Sequence, residues 1–212
     1  IFLLFLKSTM PNIDLQFFKE VEIILAHFDA DQARIIPKKF AAIVHRYTAE
    51  LRDPKSKGIH ANPSRGLAPL QNAIAHFRSS QDELTPFHAD YLSLCLKCCN
   101  FKAADFVLRH KIFKVNPQQL GVQPRDYLLY YYYSALVYTG RKDFNEALYA
   151  LGIGLSLPTQ SLNAIFVEMY KKYILVGLIQ FGKHQDLPKF CAPIIHKQIK
   201  LYCKEYVAFE TP

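Results

Sequence analysis

The chain has 212 residues, 50% of them hydrophobic, 14% aromatic and 21% charged, which excludes a disordered or low-complexity segment and supplies the side chains of a packed core. A formal charge of +8 suits acidic protein surfaces or nucleic acid without choosing between them. The opening apolar run, Ile1 to Leu6, is far shorter than the roughly 20 residues that span a bilayer and lacks the basic leader and cleavage site of a secretory signal, so no membrane partner is expected.

Apolar spacing is helical almost everywhere, and alternating runs bounded by turn residues are missing. Ile1 reads as an internal residue of a longer protein, and Ile1 to Leu6 as the remains of a helix. Ile13 to Phe28 predicts a helix with Phe17, Val21, Ile24, Leu25 and Phe28 on its inner stripe. A second follows from Gln32 or Pro37 to Leu51, with Pro37 opening it or kinking it. Arg52 to Gly66 scatters Pro and Gly among basic residues and predicts a flexible loop. Leu67 to Arg78 resumes a helix. Thr85 is expected to cap the next, with Pro86 at its first position and Tyr91, Leu92 and Cys95 inward. Further helices are predicted at Phe101–Arg109, Pro124–Thr139, Asp143–Ser156, Leu162–Phe181 and from Leu187 onward, nine to eleven in all. The longest keeps the three-four alternation through Leu162, Ile165, Phe166, Met169, Tyr170, Tyr173, Ile174, Gly177, Leu178 and Phe181, and is expected to be central.

The run Tyr130 to Ala147 writes two packed helices and their turn at helical-repeat spacing. Ala135 and Tyr138, then Ala147, Leu151 and Gly154, place small residues where two helices approach and aromatics beside them, close to the tetratricopeptide pattern. Asn100-Phe101-Lys102-Ala103-Ala104 matches Asp143-Phe144-Asn145-Glu146-Ala147 at an offset of 43 residues, and a third turn at Gly182 to Leu187 comes 42 residues after Gly140. That period exceeds the 34 residues of standard arrays and suits degenerate helix pairs with longer connections. The fold class that follows is all-α, a right-handed superhelical array of stacked antiparallel pairs, with residues 1–212 forming one repeat arm.

Catalytic readings find little support. None of the eight histidines is two residues from another, so the His-x-His pair of a zinc isopeptidase is missing. Cys95-Leu96-Lys97-Cys98 has zinc-like or redox-like spacing but sits inside an amphipathic helix with no second pair, and reads as core cysteines packing as small hydrophobes. The five cysteines are odd in number and without a framework, which suits reduced thiols in the nucleus or cytoplasm. Gly152-Ile153-Gly154 lies within a helix and reads as close packing, not a phosphate loop. His88 beside Asp90 reads as a partly exposed or hydrogen-bonded structural residue, and four consecutive tyrosines point around a helix, so at most two share an exposed face. No catalytic residue, cofactor, metal or small-molecule substrate is expected.

Binding has one candidate surface. Lys171, Lys172, Lys183, Lys189, Lys197, Lys200 and Lys204 oppose only Glu168, Asp186 and Glu205. Lys171, Lys172, Lys183, Lys189 and Lys197 are the expected partner-binding residues, on an acid-seeking face; the plain alternative is a solvated helix surface. Nucleic acid ranks last because aromatic residues are read as not interleaving with these lysines.

Leu84-Thr85-Pro86-Phe87-His88-Ala89-Asp90, the tyrosine run with Val137-Tyr138-Thr139-Gly140, and above all Glu168-Met169-Tyr170-Lys171-Lys172-Tyr173-Ile174-Leu175-Val176 resemble the subunit-three family of the constitutive photomorphogenesis nine (COP nine) signalosome. The resemblance runs from about Met10 to Tyr206 and is strongest between Leu84 and Lys189. It implies the helical-repeat arm of a PCI-type subunit, with the winged helix lying outside this sequence. It also implies a non-catalytic scaffold in a complex that removes Nedd8 from cullins, with other signalosome subunits as direct partners, cullin-RING ligases as indirect ones, and the nucleus and cytoplasm as its location. A related PCI scaffold of the proteasome lid or of a translation initiation complex is the alternative, and an independent nucleic-acid-binding repeat protein is third.

Overall fold

The computed structural model describes residues 15–53, 62–183 and 185–208. The expected helix remnant at Ile1–Leu6, the residues preceding Leu15 and residues 54–61 of the basic loop lie outside these. Twelve α-helices occur among the described residues: α1 Leu15–His27, α2 Ala30–Ile35, α3 Pro37–Arg52, α4 Leu67–Phe77, α5 Phe87–Lys97, α6 Asp105–Leu108, α7 Pro117–Leu120, α8 Pro124–Gly140, α9 Phe144–Leu155, α10 Ala164–Phe181, α11 Pro193–Tyr202 and α12 Lys204–Ala208. The chain is all-α. Its only strands in the described residues are β1, Glu83–Leu84, and β2, Lys114–Val115, a parallel pair in the register Glu83↔Lys114 and Leu84↔Val115. The helix number exceeds the nine to eleven predicted because α7 and α12 are one-turn pieces, too short for periodicity to register, and α2 is a separate short helix before Pro37.

Contacts divide the chain into two units, residues 1–126 and 127–212. In the first unit α1 packs on α3 and α4, and α5 on α3 and α4. Phe28, Phe40, Phe77 and Phe87 meet there, with ring centroids of neighbouring pairs 5.1–5.8 Å apart. Pro37 opens α3 instead of kinking a longer helix: its ring fixes φ for a first helical residue, and Ile36 breaks the chain before it. Residues Pro63–Gly66, read in the sequence as the end of the loop, form a 3₁₀ turn. Asn62 caps it by accepting from Ser64 N at 3.1 Å, and Gly66 is buried, where a Cβ would sit 2.6 Å from both Leu51 and Leu94. Gly121 ends α7 at φ 70°, and a Cβ there would lie 3.0 Å from Lys38 N, so both conformation and space require glycine.

In the second unit α10 packs against α9, α11 and α12 and is central to it, as its length predicts. Phe166, Met169, Tyr170, Tyr173, Ile174 and Gly177 are buried as expected, whereas Phe181, assigned to the inner stripe, is 51% exposed. It is the last helical residue before Gly182 turns left-handed at φ 70°, beyond the cover of neighbouring helices. The small-residue reading of α9 holds: Ala147, Leu151 and Gly154 are buried, and a Cβ on Gly154 would meet Met169 Cε at 2.0 Å and Tyr131 Cβ at 3.3 Å. Of the four tyrosines, Tyr130 and Tyr131 are buried and Tyr132 and Tyr133 half-buried.

The 43-residue repeat has a structural counterpart. Cys99 (φ 51°) and Lys142 (φ 64°) both turn left-handed after a helix. The next residue donates five back, Asn100 N to Cys95 O and Asp143 N to Tyr138 O, each at 2.9 Å. That same residue's side chain then accepts three ahead, Asn100 Oδ1 from Ala103 N at 3.2 Å and Asp143 Oδ1 from Glu146 N at 3.4 Å. Each is a Schellman-type stop followed at once by a side-chain cap, Asp143 as the N-cap of α9 and Asn100 on the turn at Phe101–Ala104.

Two predicted helices shrink. Residues Phe101–Ala104 form turns, and only Asp105–Leu108 of the expected Phe101–Arg109 helix is α-helical. The helix expected from Leu187 starts instead at Pro193, after a turn in which Cys191 N donates to Pro188 O at 3.0 Å. Pro188 and Pro193 explain this, since a proline lacks the N–H that an interior helical position needs.

Candidate partner-binding surface

The sequence-predicted lysines all lie in the second unit but differ in state. Lys171, on α10, is half-buried; its ammonium is 2.7 Å from Glu168 Oε1 and 5.6 Å from the centre of the Tyr206 ring. The Glu168 hydrogen bond and charge hold its pKa above the usual lysine value. Lys171 is thus engaged within the unit. Lys172 is half-buried on the same helix. Lys183 follows the Gly182 stop, Lys189 lies in the turn before α11 and Lys197 lies on α11; all three are exposed, and none has an ion-pair partner among the described residues.

The structure also corrects the reading that aromatics do not interleave with these lysines. Phe190 is 76% exposed directly after Lys189, and Tyr202 is 67% exposed between Lys200 and Lys204. With Ile179, Phe181 and Leu201 also exposed, cations and apolar side chains share the end of the second unit. Such a mixture matches the composition of protein-binding surfaces, in which aromatics are enriched. The signal for the aromatics was in the sequence. Periodicity assigned Phe181 inward, and Phe190 was hidden by the helix expected from Leu187.

The candidates weighed for chemistry resolve as structure. His88 Nδ1 accepts from Thr85 N at 3.0 Å and lies 2.8 Å from Thr85 Oγ1, while Asp90 meets His45. The expected direction of capping is therefore reversed. Pro86 precedes the first helical residue of α5, no side chain caps it there, and the helix returns a bond to Thr85 through His88, as the second arm of a capping box does. Burial, aided by the Arg78 charge, pulls the His88 pKa down to about 3, so the ring is neutral. α5 is enclosed from Phe87 to Cys95, not one-sided, which explains why His88, Asp90 and Ser93 are buried with it. None of the five cysteines forms a disulfide, and no group of metal-holding residues occurs among the described residues.

Asp90 serves a cluster that sequence reasoning did not find. His45 Nδ1, on α3, lies 2.5 Å from Asp90 Oδ2 on α5, and its Nε2 lies 3.6 Å from Asp126 Oδ1 in the first turn of α8. Asp126 Oδ2 accepts from Gln123 N at 2.9 Å. Burial works against the imidazolium, but the charge and hydrogen bond of Asp90 and the charge of Asp126 outweigh it and hold the His45 pKa above its usual value. Burial also raises the Asp126 carboxyl. A second clamp joins Glu22 to Arg65 Nε at 2.5 Å and to Tyr47 Oη at 3.0 Å, and Glu83 accepts from Ser79 N at 2.7 Å and from Asn116 Nδ2. These polar groups tie elements of the first unit together.

Residues 1–195 match the family described as COP9 signalosome complex subunit 3, N-terminal helical repeats. COP9 signalosome complex subunit 3 of Dictyostelium discoideum is 33% identical over 183 residues, covering 85% of this chain and 42% of that protein. The Arabidopsis thaliana subunit 3 is 34% identical over 192 residues, covering 87% of this chain and 41% of its own length. The chain thus spans about two fifths of these relatives. No described helix is long and apolar enough to cross a membrane. By its residues, its repeated turn and its relatives, the chain belongs to the family of COP9 signalosome complex subunit 3 and matches that family's N-terminal helical repeats.

Proposed function

We propose that this chain is a non-catalytic scaffold arm of the signalosome, holding other subunits in a complex that removes Nedd8 from cullins of cullin-RING ligases. The observation that carries the reading, given the family, is the distribution of side chains in the second unit: the apolar faces of α9 and α10 are committed inward, while Lys183, Lys189 and Lys197 stand free beside exposed Phe181, Phe190 and Tyr202. In this reading the repeats continue as a right-handed superhelix of the PCI type, and the protein works in the nucleus and cytoplasm. Its mechanism is binding alone; aromatic anchors bury against a neighbour and the surrounding lysines steer its approach. Copurification from native extract is the test. Retention of other signalosome subunits, with no chelator-sensitive cleavage of Nedd8 by the chain alone, supports the proposal; retention of proteasome-lid or initiation-complex subunits instead contradicts it.

One observation favours a second reading. Exposed Phe190 and Tyr202 beside free lysines could stack on unpaired bases, as single-strand binders do. Saturable binding of a labelled oligonucleotide, lost in the Phe190→Ala variant and absent with signalosome subunits, would select it.

A further inference from the structure

In the first unit, Arg78 follows α4 and its guanidinium carbon lies 5.2 Å from the centre of the Phe106 ring. Phe106 in turn stands edge-on to Tyr91, with centroids 5.9 Å apart, and the Tyr91 hydroxyl is fixed by donating to Ala103 O at 2.9 Å. These side chains line an open cleft of about 580 Å³. Exposed Lys102, Arg109 and His110 line it too, and Asp105 is the only carboxylate in the lining.

Arg78 differs from other arginines of this unit. Arg34, Arg46 and Arg65 are half-buried, and each meets a carboxylate, at 2.9, 2.9 and 2.5 Å respectively. Arg78 is half-buried too, yet no carboxylate lies within ion-pair distance of it among the described residues. Burial lowers its pKa, as it must for a cation that has lost water without gaining a counter-charge. A planar guanidinium braced on a ring presents its donors as a fork suited to a carboxylate.

We propose that this cleft is a binding site for an acidic peptide segment of a partner protein, with one carboxylate seated on Arg78 and its neighbours drawn by Lys102 and Arg109. An open cleft suits a chain passing through it better than an enclosed small anion. Asp105 in its lining repels a multiply charged phosphate more than it repels a single carboxylate. Only the choice of a protein partner rests on the scaffold reading; the charge argument stands without it.

The test uses the 212-residue chain and a fluorescein-labelled peptide, Glu-Glu-Leu-Asp-Glu, followed by anisotropy, with the all-Gln and Asn counterpart as control. Saturable binding of the acidic peptide alone is expected. It should weaken about tenfold in Arg78→Gln, the cost of one charge-assisted contact, and by a similar factor in the exposed-site variant Arg109→Glu. The Lys183→Glu, Lys189→Glu, Lys197→Glu triple variant should bind as the parent does. Parent-like affinity of Arg78→Gln and Arg109→Glu for the peptide, a loss in the triple variant as large as theirs, or displacement by inorganic phosphate that itself binds more tightly would each overturn the proposal. Because no other subunit is present, none of these outcomes depends on whether the chain joins the signalosome.

Discussion

Buried polar side chains divide unevenly between the two units. Thr48, Glu83, Thr85, His88, Asp90, Ser93 and Asp126 are all in the first, and in the second only Ser134 is buried among the described residues. The first unit registers its helices by polar contacts that reach far along the chain, His45 to Asp90 and Glu22 to Arg65 among them. The second relies on shape, with Gly154 under Met169 and Tyr131, and turns its charges outward. Apolar packing supplies most stabilisation in either case; polar pairs of this kind contribute little net energy when intact but cost much when one partner is lost. Disruption should therefore have different signatures in the two units.

The largest effect is expected in the second unit. Ile174 is fully buried on α10, so Ile174→Ala should cost about 2–5 kcal/mol through lost transfer energy and a cavity. Amide exchange should accelerate across α9 and α10 first. An unchanged thermal midpoint and exchange pattern would mean that this face is not packed.

In the first unit, Asp90→Ala removes the closest partner of His45, and the cost should be about 1–3 kcal/mol. The comparison breaks if exchange rises in α9 and α10 rather than in α3 and α5.

Acid should then distinguish two histidines of the same unit. His88 has a folded pKa of about 3, below the ordinary 6.5, so its neutral form contributes stability that is fully present above pH 6.5 and lost as pH falls toward 3. The slope is roughly 1.4 kcal/mol per pH unit within that window. His45 has a raised pKa, so its contribution is present below 6.5 and lost as pH rises through the folded value, opposing the first. His88→Asn keeps an acceptor near the position of Nδ1 and removes the titration. Urea midpoints measured from pH 7.5 to 5 should fall less in this variant than in the parent; identical slopes would place a charged or exposed ring at position 88.

The shared turn gives a smaller and more symmetrical effect. Lys142 holds φ 64° and Cys99 φ 51°, positions where glycine avoids the Cβ clash. Lys142→Gly and Cys99→Gly should each stabilise their unit by about 0.5–1 kcal/mol. A gain in one and a loss in the other, read from unfolding midpoints, would show that the two turns are equivalent only in outline.

The smallest effect on folding is expected from the exposed lysines. Lys183→Glu, Lys189→Glu and Lys197→Glu together should leave helicity and melting unchanged while slowing association with other subunits at low ionic strength. Equal association rates across a salt series would leave them a solvated face.

The second unit was the more legible in sequence for a physical reason. A helix that buries one stripe repeats its apolar residues every three or four positions, so the segment from Tyr130 to Gly177 announces its partners locally. The match of Asn100 with Asp143 was legible too, because a stop followed by a cap is written in consecutive residues. Polar clamps carry no such period. His45 and Asp90 are 45 residues apart, and nothing near either one names the other. The enclosed α5 is hard to read for a related reason: an element covered on all sides buries Asp and His wherever partners await, so its polar residues imitate an exposed face. The lysine set was readable as a charge excess, but only the structure separates Lys171, held by Glu168 and the Tyr206 ring, from the free Lys183, Lys189 and Lys197.

Hydrogen exchange of the chain, alone and after mixing with signalosome subunits lacking subunit 3, tests the scaffold account most directly. The account predicts added protection from Phe181 through Cys191 and along α11, with the slow amides of α9 and the buried face of α10 unchanged. No added protection anywhere in residues 181–204 at saturating partner concentrations would contradict it.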